Sequence, residues 1–170
     1  MADTVRPSIT PATLRDIGLF GGVSDAGLEV LAKELPHLRV EPGALIVREG
    51  ETSTEMFVVI HGELEVIKHA EDETHVRVAM LGPGDWFGEM AILNVHPRSA
   101  SVRSLAPSLL LSMGAEQVER LLYRRDLKDY ALLLMNISRE LGRRLRVADG
   151  ILAQFYVAMH EQYGKNAPRP

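Results

Sequence analysis

Between residues 37 and 113 the sequence repeats one pattern, in which a short run rich in β-branched and other apolar side chains is followed by a turn. Glycines at positions 43, 50, 62, 82, 84 and 88 lie between many of these runs. Short, regularly spaced strands with turns between them are typical of an antiparallel sandwich or barrel. The stretch therefore predicts a mainly β fold, with strands at Leu38–Val40, Ala44–Arg48, Met56–Ile60, Leu64–Lys68, Val76–Leu81, Ala100–Ser104 and Leu109–Met113.

Helical patterns flank these strands on both sides. Thr10 and Pro11 form an N-cap followed by proline at the first helical position. Ser24 is a second N-cap, and the apolar residues from Leu28 to Leu35 follow it at helical spacing. The pattern becomes helical again after Gly114. We therefore expect an N-terminal helical segment (1–36), a β-roll (37–114), C-terminal helices (115–163) and a disordered tail (164–170).

One long helix is expected from Leu127 to about Met159. Its apolar positions recur every three or four residues, at Leu134, Ile137, Leu141, Leu145, Ala148, Leu152, Phe155 and Met159. Roughly 33 residues of helix span about 50 Å, whereas a domain of about 115 residues is near 30 Å across.

The overhanging apolar stripe of this helix needs a partner. A second copy of the chain is the simplest one, so we expect a homodimer through residues 127–159. The alternative is a helix that breaks at Gly142 or Gly150 and folds back on its own domain, because each glycine weakens a helix interior by about 1 kcal/mol.

Composition excludes several classes of protein. The 170 residues contain no cysteine, which excludes disulfide frameworks and thiol catalysis. The six histidines have no metal-ligand spacing, so no metal site is predicted. No apolar run approaches the roughly 20 residues of a membrane span, and the N-terminus has no apolar signal core. We therefore expect a cytoplasmic protein with no membrane partner, and the net charge of −4 argues against a nucleic-acid partner.

The segment after the fifth predicted strand has the chemistry of a sugar-phosphate site. Residues 1–115 carry 9 Lys+Arg and 16 Asp+Glu, so an anionic ligand there needs a local positive group. Arg98 supplies that group, and the hydroxyl of Ser99 lies beside it. Gly88 and Glu89 begin a short apolar turn whose free N–H groups suit a phosphate, while the carboxylate suits a ribose hydroxyl.

These residues resemble the phosphate-binding cassette of the cyclic-nucleotide-binding domain. The two matching pieces are Phe-Gly-Glu-Met-Ala-Ile-Leu at 87–93 and Pro-Arg-Ser-Ala-Ser at 97–101. The family includes catabolite activator proteins, regulatory subunits of cyclic-AMP-dependent protein kinase and cyclic-nucleotide-gated channels. The resemblance covers roughly residues 14–160, including similar stretches at 19–35, 41–51, 59–66 and 138–147.

The resemblance implies a double-stranded β-helix, or jelly roll, that binds a cyclic nucleotide without a cofactor or catalytic activity. Glu89 then holds the ribose 2′-hydroxyl. Gly88, Met90 and Ala91 stand where family members offer backbone groups to the sugar-phosphate.

The resemblance also implies the phosphate and base contacts. Arg98 neutralises the cyclic phosphate, Ser99 gives it a hydroxyl contact, and Ala100 adds a backbone N–H. Polar residues of the long helix cap the base in dimeric bacterial members, and the matching positions are Ala148 and Asp149. A carboxylate at Asp149 accepts either from the adenine amino group or from guanine N–H groups. Cyclic AMP is the expected ligand, with cyclic GMP as the alternative.

The bacterial transcription factors of this family add a helix-turn-helix after the dimer helix, and this sequence has no such pattern. We therefore expect a stand-alone cyclic-nucleotide sensor that signals through its C-terminal helix to an effector protein. The alternatives are a fragment of a catabolite-activator-type regulator and a dimerisation module that binds no nucleotide. The arginines at 143, 144 and 146 are interpreted as a solvated helix face with an i,i+4 pair from Glu140 to Arg144, or as a docking surface for an acidic partner.

Overall fold

Two antiparallel sheets make up the centre of the fold. In the computed structural model, which describes residues 9–69, 75–94 and 96–164, the strands are β1 His37–Val40, β2 Leu45–Val47, β3 Glu55–His61, β4 Leu64–His69, β5 His75–Leu81, β6 Trp86–Phe87, β7 Ser101–Ser104 and β8 Ser108–Gly114. One sheet has the strand order β1-β8-β3-β6 and the other β2-β7-β4-β5. The mainly β jelly roll predicted from the sequence is confirmed, and the seven predicted strands are all present.

Strand β3 is buried on both faces, which explains its continuous apolar sequence. Successive side chains of a strand point to opposite faces. Met56 and Val58 enter a core that the sheet shares with the helices, while Phe57 and Val59 enter a second core between the sheets. A short apolar run without alternation is the pattern of such a fully covered strand.

Strand β6 is an element that the sequence did not predict. It is two residues long and pairs with β3, with Trp86 opposite Val58 and Phe87 opposite Phe57. The Phe57 and Phe87 rings stack with centroids 5.2 Å apart. Two residues between turn glycines are too few to give a periodic pattern, so tertiary pairing alone defines this strand.

Five α-helices are described in the resolved ranges of the chain: α1 Pro11–Arg15, α2 Asp25–Glu34, α3 Met90–Leu93, α4 Ala115–Val118 and α5 Leu127–Gly164. Both predicted N-caps are confirmed. Thr10 Oγ1 accepts from the N–H of Thr13 at 3.2 Å, and Ser24 Oγ accepts from the N–H of Gly27 at 3.1 Å. A 3-10 turn lies between α1 and α2, and a π-helical turn follows α4 directly.

The long helix α5 is continuous over 38 residues, or about 57 Å. It passes through Gly142 and Gly150 without a break, so the alternative of a helix that folds back is wrong. Its first half packs on the core, where Leu133 and Ile137 are 0% exposed. Ile137 belongs to the predicted overhanging stripe, but it is buried in the core that the helices share with the first sheet. The exposed part of the stripe begins at Leu145.

Some predictions fall partly outside the described residues. The expected tail at 164–170 lies outside them, except that Gly164 ends α5. No helix among the described residues combines the length and apolarity needed to cross a membrane.

Candidate nucleotide-binding site

A cavity of about 370 Å³ lies between the inner face of the second sheet, the segment 85–100 and α5. Its apolar wall is one cross-strand row, since Val47 pairs with Val102, Val102 with Val66, and Val66 with Ala79. Directly opposed residues share one face of a sheet. Phe87 completes this apolar side. The volume is within the range of small-ligand sites.

The turn at Gly88 requires glycine. Its φ of +77° lies in the left-handed region that other residues rarely adopt. A Cβ at this position would also collide with Arg98 Nη1 and lie 3.0 Å from the carbonyl oxygen of Glu55. The backbone therefore approaches the arginine more closely than any side chain would permit. Gly88 lines the cavity, as the sequence suggested.

Arg98 is a buried cation, only 8% exposed. Its Nη2 donates to Ser53 Oγ at 2.7 Å and to the Glu55 carbonyl at 2.6 Å, and its Nη1 donates to the Gly88 carbonyl at 3.5 Å. Its backbone N–H donates to the carbonyl of Glu51 at 2.9 Å. Burial lowers the pKa of the guanidinium from its ordinary value, and the nearby carboxylate of Glu55 partly offsets that effect.

One polar donor of Arg98 is left for a ligand. Its Nε is buried and has no hydrogen-bond partner among the described residues. A buried donor without a partner is costly unless a ligand or water satisfies it. The segment Gly50–Glu55 that holds the guanidinium was missed as part of the site. No local signal marks it, because its role comes from the pairing of Thr52 with Pro97.

Glu89 is a buried carboxylate, 5% exposed. Its Oε1 accepts from Arg144 Nη1 at 3.1 Å. Its Oε2 is buried and meets no hydrogen-bond donor in the part of the chain that the structure describes. One oxygen is thus held by the protein, and the other is available for a hydroxyl donor inside the cavity.

The structure brings the remaining cassette residues to the same cavity. Met90, Ala91, Ser99 and Ala100 all line it. The N–H of Ala91 donates to the Gly88 carbonyl at 3.0 Å, so this amide is already used by the turn. The hydroxyl of Ser99 belongs to an exposed residue at the rim.

Asp149, the predicted base contact, lies outside the cavity of its own chain. It is exposed on α5 and absent from the cavity lining. It lies five residues, or about 7.5 Å along the axis, beyond Arg144. The α5 residues that line the cavity are Glu140, Arg143 and Arg144.

Arg144 and Glu140 are functional candidates that the sequence analysis assigned to a solvated face. The predicted pair is present, with Arg144 Nε donating to Glu140 Oε1 at 2.9 Å. The same guanidinium also donates to Glu89 and, through Nη2, to the carbonyl of Trp86 at 2.7 Å. Spacing within one helix could not reveal contacts with residues more than 50 positions away.

A strong local field fixes the ionisation of Glu140. Hydrogen bonds from Arg143 and then from Arg144 lower the pKa of Glu140 to about 2. The row Arg143, Glu140, Arg144 and Glu89 alternates in sign at the mouth of the cavity. No group of three potential metal ligands was found among residues 9–69, 75–94 and 96–160.

A buried arginine, a buried carboxylate and an apolar wall border one cavity, which is the combination of groups that would complement a sugar phosphate. The family model described as the cyclic nucleotide-binding domain matches residues 37–125. The chain belongs to this family.

Two of its relatives are regulatory proteins. It is 28% identical over 136 residues to a CRP-like cAMP-activated global transcriptional regulator of Mycobacterium tuberculosis, covering 80% of this chain and 58% of that protein. It is 33% identical over 117 residues to a cAMP-dependent protein kinase regulatory subunit of Yarrowia lipolytica, covering 69% and 30%. The chain thus spans less than two thirds of the length of either relative.

The fold is shared with a solved member of the family. The catabolite activator protein of Thermus thermophilus superimposes with a TM-score of 0.73 at 27% identity, covering 82% of this chain and 63% of that one.

Proposed function

We propose that this protein is a cyclic-AMP sensor, in which the jelly roll binds the nucleotide and α5 reports its presence to an effector protein. The observation that carries the proposal is the pair of buried, oppositely charged groups with unsatisfied atoms in one cavity, Glu89 Oε2 and Arg98 Nε. A cyclic nucleotide offers both complements, a ribose hydroxyl that donates and a phosphate that accepts. The cAMP named for both curated relatives supports the choice of nucleotide.

The phosphate belongs at Arg98. Hydrogen bonds to Ser53 and to the Glu55 carbonyl hold the guanidinium of Arg98 in place. The side chain therefore loses little conformational entropy when the phosphate binds. A charge-assisted bond in a buried site is stronger than one in water. The hydroxyl of Ser99 and the N–H of Ala100 are then proposed to complete the phosphate contacts, and the turn from Gly88 to Ala91 borders the sugar.

The ribose belongs at Glu89. With Oε1 already bonded to Arg144, the free Oε2 is left to accept from the 2′-hydroxyl. A 2′-deoxy nucleotide would leave this buried oxygen without a donor.

The signal would pass through Arg144. This side chain joins α5 to Glu89 and to the Trp86 carbonyl, so it contacts the two elements whose relative position the ligand must change. A ligand shifts an equilibrium only by its differential affinity for the two arrangements. Such couplings are usually about 1–3 kcal/mol.

We further propose that two copies pair through the distal part of α5. Leu145, Ala148, Leu152, Phe155 and Met159 follow a 3-4-3-4 spacing, which is the seam of a two-stranded coiled coil. All are exposed in the single chain. Asp149 would contact the base only in this assembly, because its own chain keeps it outside the cavity.

The test is a calorimetric titration of the whole chain with cyclic AMP, cyclic GMP and, as a non-cyclic control, 5′-AMP. We expect one cyclic-AMP site per chain, weaker cyclic-GMP binding and no saturable heat with 5′-AMP. Arg98→Ala should weaken binding by about 2–3 kcal/mol, or about 30- to 150-fold.

A control variant distinguishes the loss of a nucleotide contact from a general effect of removing an arginine from the sheet. Arg103→Ala removes an arginine from β7 that pairs with Glu65 outside the cavity. It should leave the affinity unchanged, while Arg98→Lys, which keeps the charge without the fork of donors, should bind with an intermediate affinity. Equal affinities for Arg98→Ala and the unmodified chain would reject the site. Absence of saturable heat with both cyclic nucleotides would favour the non-binding dimerisation module.

A further inference from the structure

The side chain of Glu140 lies where it can control the orientation of Arg144. Arg144 uses a different nitrogen for each of three acceptors, Nε for Glu140, Nη1 for Glu89 and Nη2 for the Trp86 carbonyl. The Nε contact at 2.9 Å fixes the plane of the guanidinium on the helix side. The other two nitrogens are thereby directed towards the cassette.

The carboxylate of Glu140 is itself fixed. Arg143 Nε donates to Oε2 at 2.8 Å and Arg143 Nη2 donates to Oε1 at 2.6 Å, a bidentate pair. The Glu140 side chain is 16% exposed, whereas that of Glu119, which forms a similar pair with Arg124 on the surface, is 52% exposed. Glu140 is therefore more than a member of a solvated helix pair.

We propose that Glu140 is a positioning residue for ribose recognition, acting through Arg144 on the carboxylate of Glu89. This inference rests on the proposed function. By holding Arg144 on Oε1 of Glu89, Glu140 keeps Oε2 buried and available for the 2′-hydroxyl. Without it, the long Arg144 side chain regains rotamers, and Glu89 loses the partner that sets its orientation.

The experiment compares cyclic AMP with 2′-deoxy cyclic AMP on the unmodified chain, Glu140→Gln and Glu140→Ala, by calorimetry. The unmodified chain should bind the deoxy analogue about 10-fold or more weakly, because Glu89 then lacks its donor. Glu140→Gln should reduce this ratio about 3-fold and Glu140→Ala further, mainly through weaker binding of cyclic AMP. A change that merely destabilised the helix would weaken both nucleotides equally.

Two controls fix the interpretation. Glu119→Gln removes the surface carboxylate that pairs with Arg124 and should leave the ratio unchanged. In an Arg144→Gln background, Glu140→Gln should have no further effect on the ratio, since the residue through which it acts is gone.

The outcomes distinguish the two proposals. If the unmodified chain discriminates between the nucleotides and Glu140→Gln discriminates equally well, the positioning role is overturned and the proposed function stands. The same holds if Glu140→Gln lowers the ratio equally with and without Arg144. If the unmodified chain binds neither nucleotide, the proposed function fails and this inference fails with it.

Discussion

The two halves of α5 have the same apolar spacing but different surroundings. In the first half, Leu133 and Ile137 are fully buried, and two polar side chains, Asp129 and Asn136, are buried with hydrogen bonds to the N-terminal segment. From Leu145 onward, the described side chains are all exposed. The same apolar spacing therefore leads to a buried core in the first half of the helix and to an exposed surface in the second half. Only the tertiary contacts of each half decide which of the two forms.

The junction between the halves is where the helix contacts the cassette. Along the apolar stripe of α5, Glu140 and Arg144 lie between Ile137, its last buried position, and Leu145, its first exposed one. A nucleotide that changes the position of the cassette thus acts on α5 at the point where its internal contacts end. Changes in either half test this division.

The largest effect should come from the buried half. Leu133→Ala deletes a fully buried side chain and should lower the free energy of unfolding by about 2–5 kcal/mol. Leu152→Ala removes the same atoms from an exposed position and should change it by less than about 0.5 kcal/mol in dilute, monomeric protein. Urea unfolding followed by Trp86 fluorescence measures both. Equal losses would show that the two halves are not distinct.

The exposed half should control self-association. Phe155→Glu places a charge in the proposed seam and should weaken dimerisation by about 2–3 kcal/mol, or about 30- to 150-fold. Its unfolding in dilute protein should be nearly unchanged, because Phe155 is 62% exposed in its own chain. Sedimentation over a range of concentrations tests the prediction. An unmodified chain that stays monomeric at high concentration, with and without cyclic AMP, would contradict the seam.

A smaller contrast compares two aspartates of the same helix. Asp129 accepts from the N–H of Ser24 at 2.8 Å and from its Oγ at 2.6 Å. Asp129→Ala leaves these donors unpaired and should cost about 1–3 kcal/mol of stability. Asp149→Ala, in the exposed half, should stay within about 0.5 kcal/mol. Thermal or urea unfolding measures this difference. Equal losses of stability from Asp149→Ala and Asp129→Ala would contradict the prediction.

The smallest effect concerns pH at the junction. The pKa of Glu140 is lowered from 4.5 to about 2 by its arginine partners. Its contribution to stability is therefore present above about pH 4.5 and is lost as the pH falls towards 2. Glu140→Gln should lose stability less steeply than the unmodified chain across this interval. Parallel curves of melting temperature against pH would exclude the ionised pairing.

Local patterns in the sequence predicted much of the fold. The N-caps at Thr10 and Ser24, the strands and the continuous helix follow from spacing and capping within a few residues. Gly88, Glu89 and Arg98 were located for the same reason, since the cassette is a contiguous stretch of about a dozen residues.

The site residues that the sequence did not predict depend on contacts between distant segments. Arg144 and Glu89 are 55 residues apart in sequence, and Ser53 and Arg98 are 45 apart. Neither contact leaves a periodic or compositional trace. Asp149 is a separate case, because it lies outside the cavity of its own chain and its predicted contact with the base depends on a second copy.

Hydrogen exchange of the whole chain, with and without saturating cyclic AMP, tests most directly whether nucleotide binding changes α5 at its junction, residues 140–144. We predict slower exchange of cassette amides 86–93 and altered exchange around 140–144, with residues 129–137 unchanged. Saturable binding that leaves 140–144 unaltered would contradict the role of Arg144 in passing the signal to the helix.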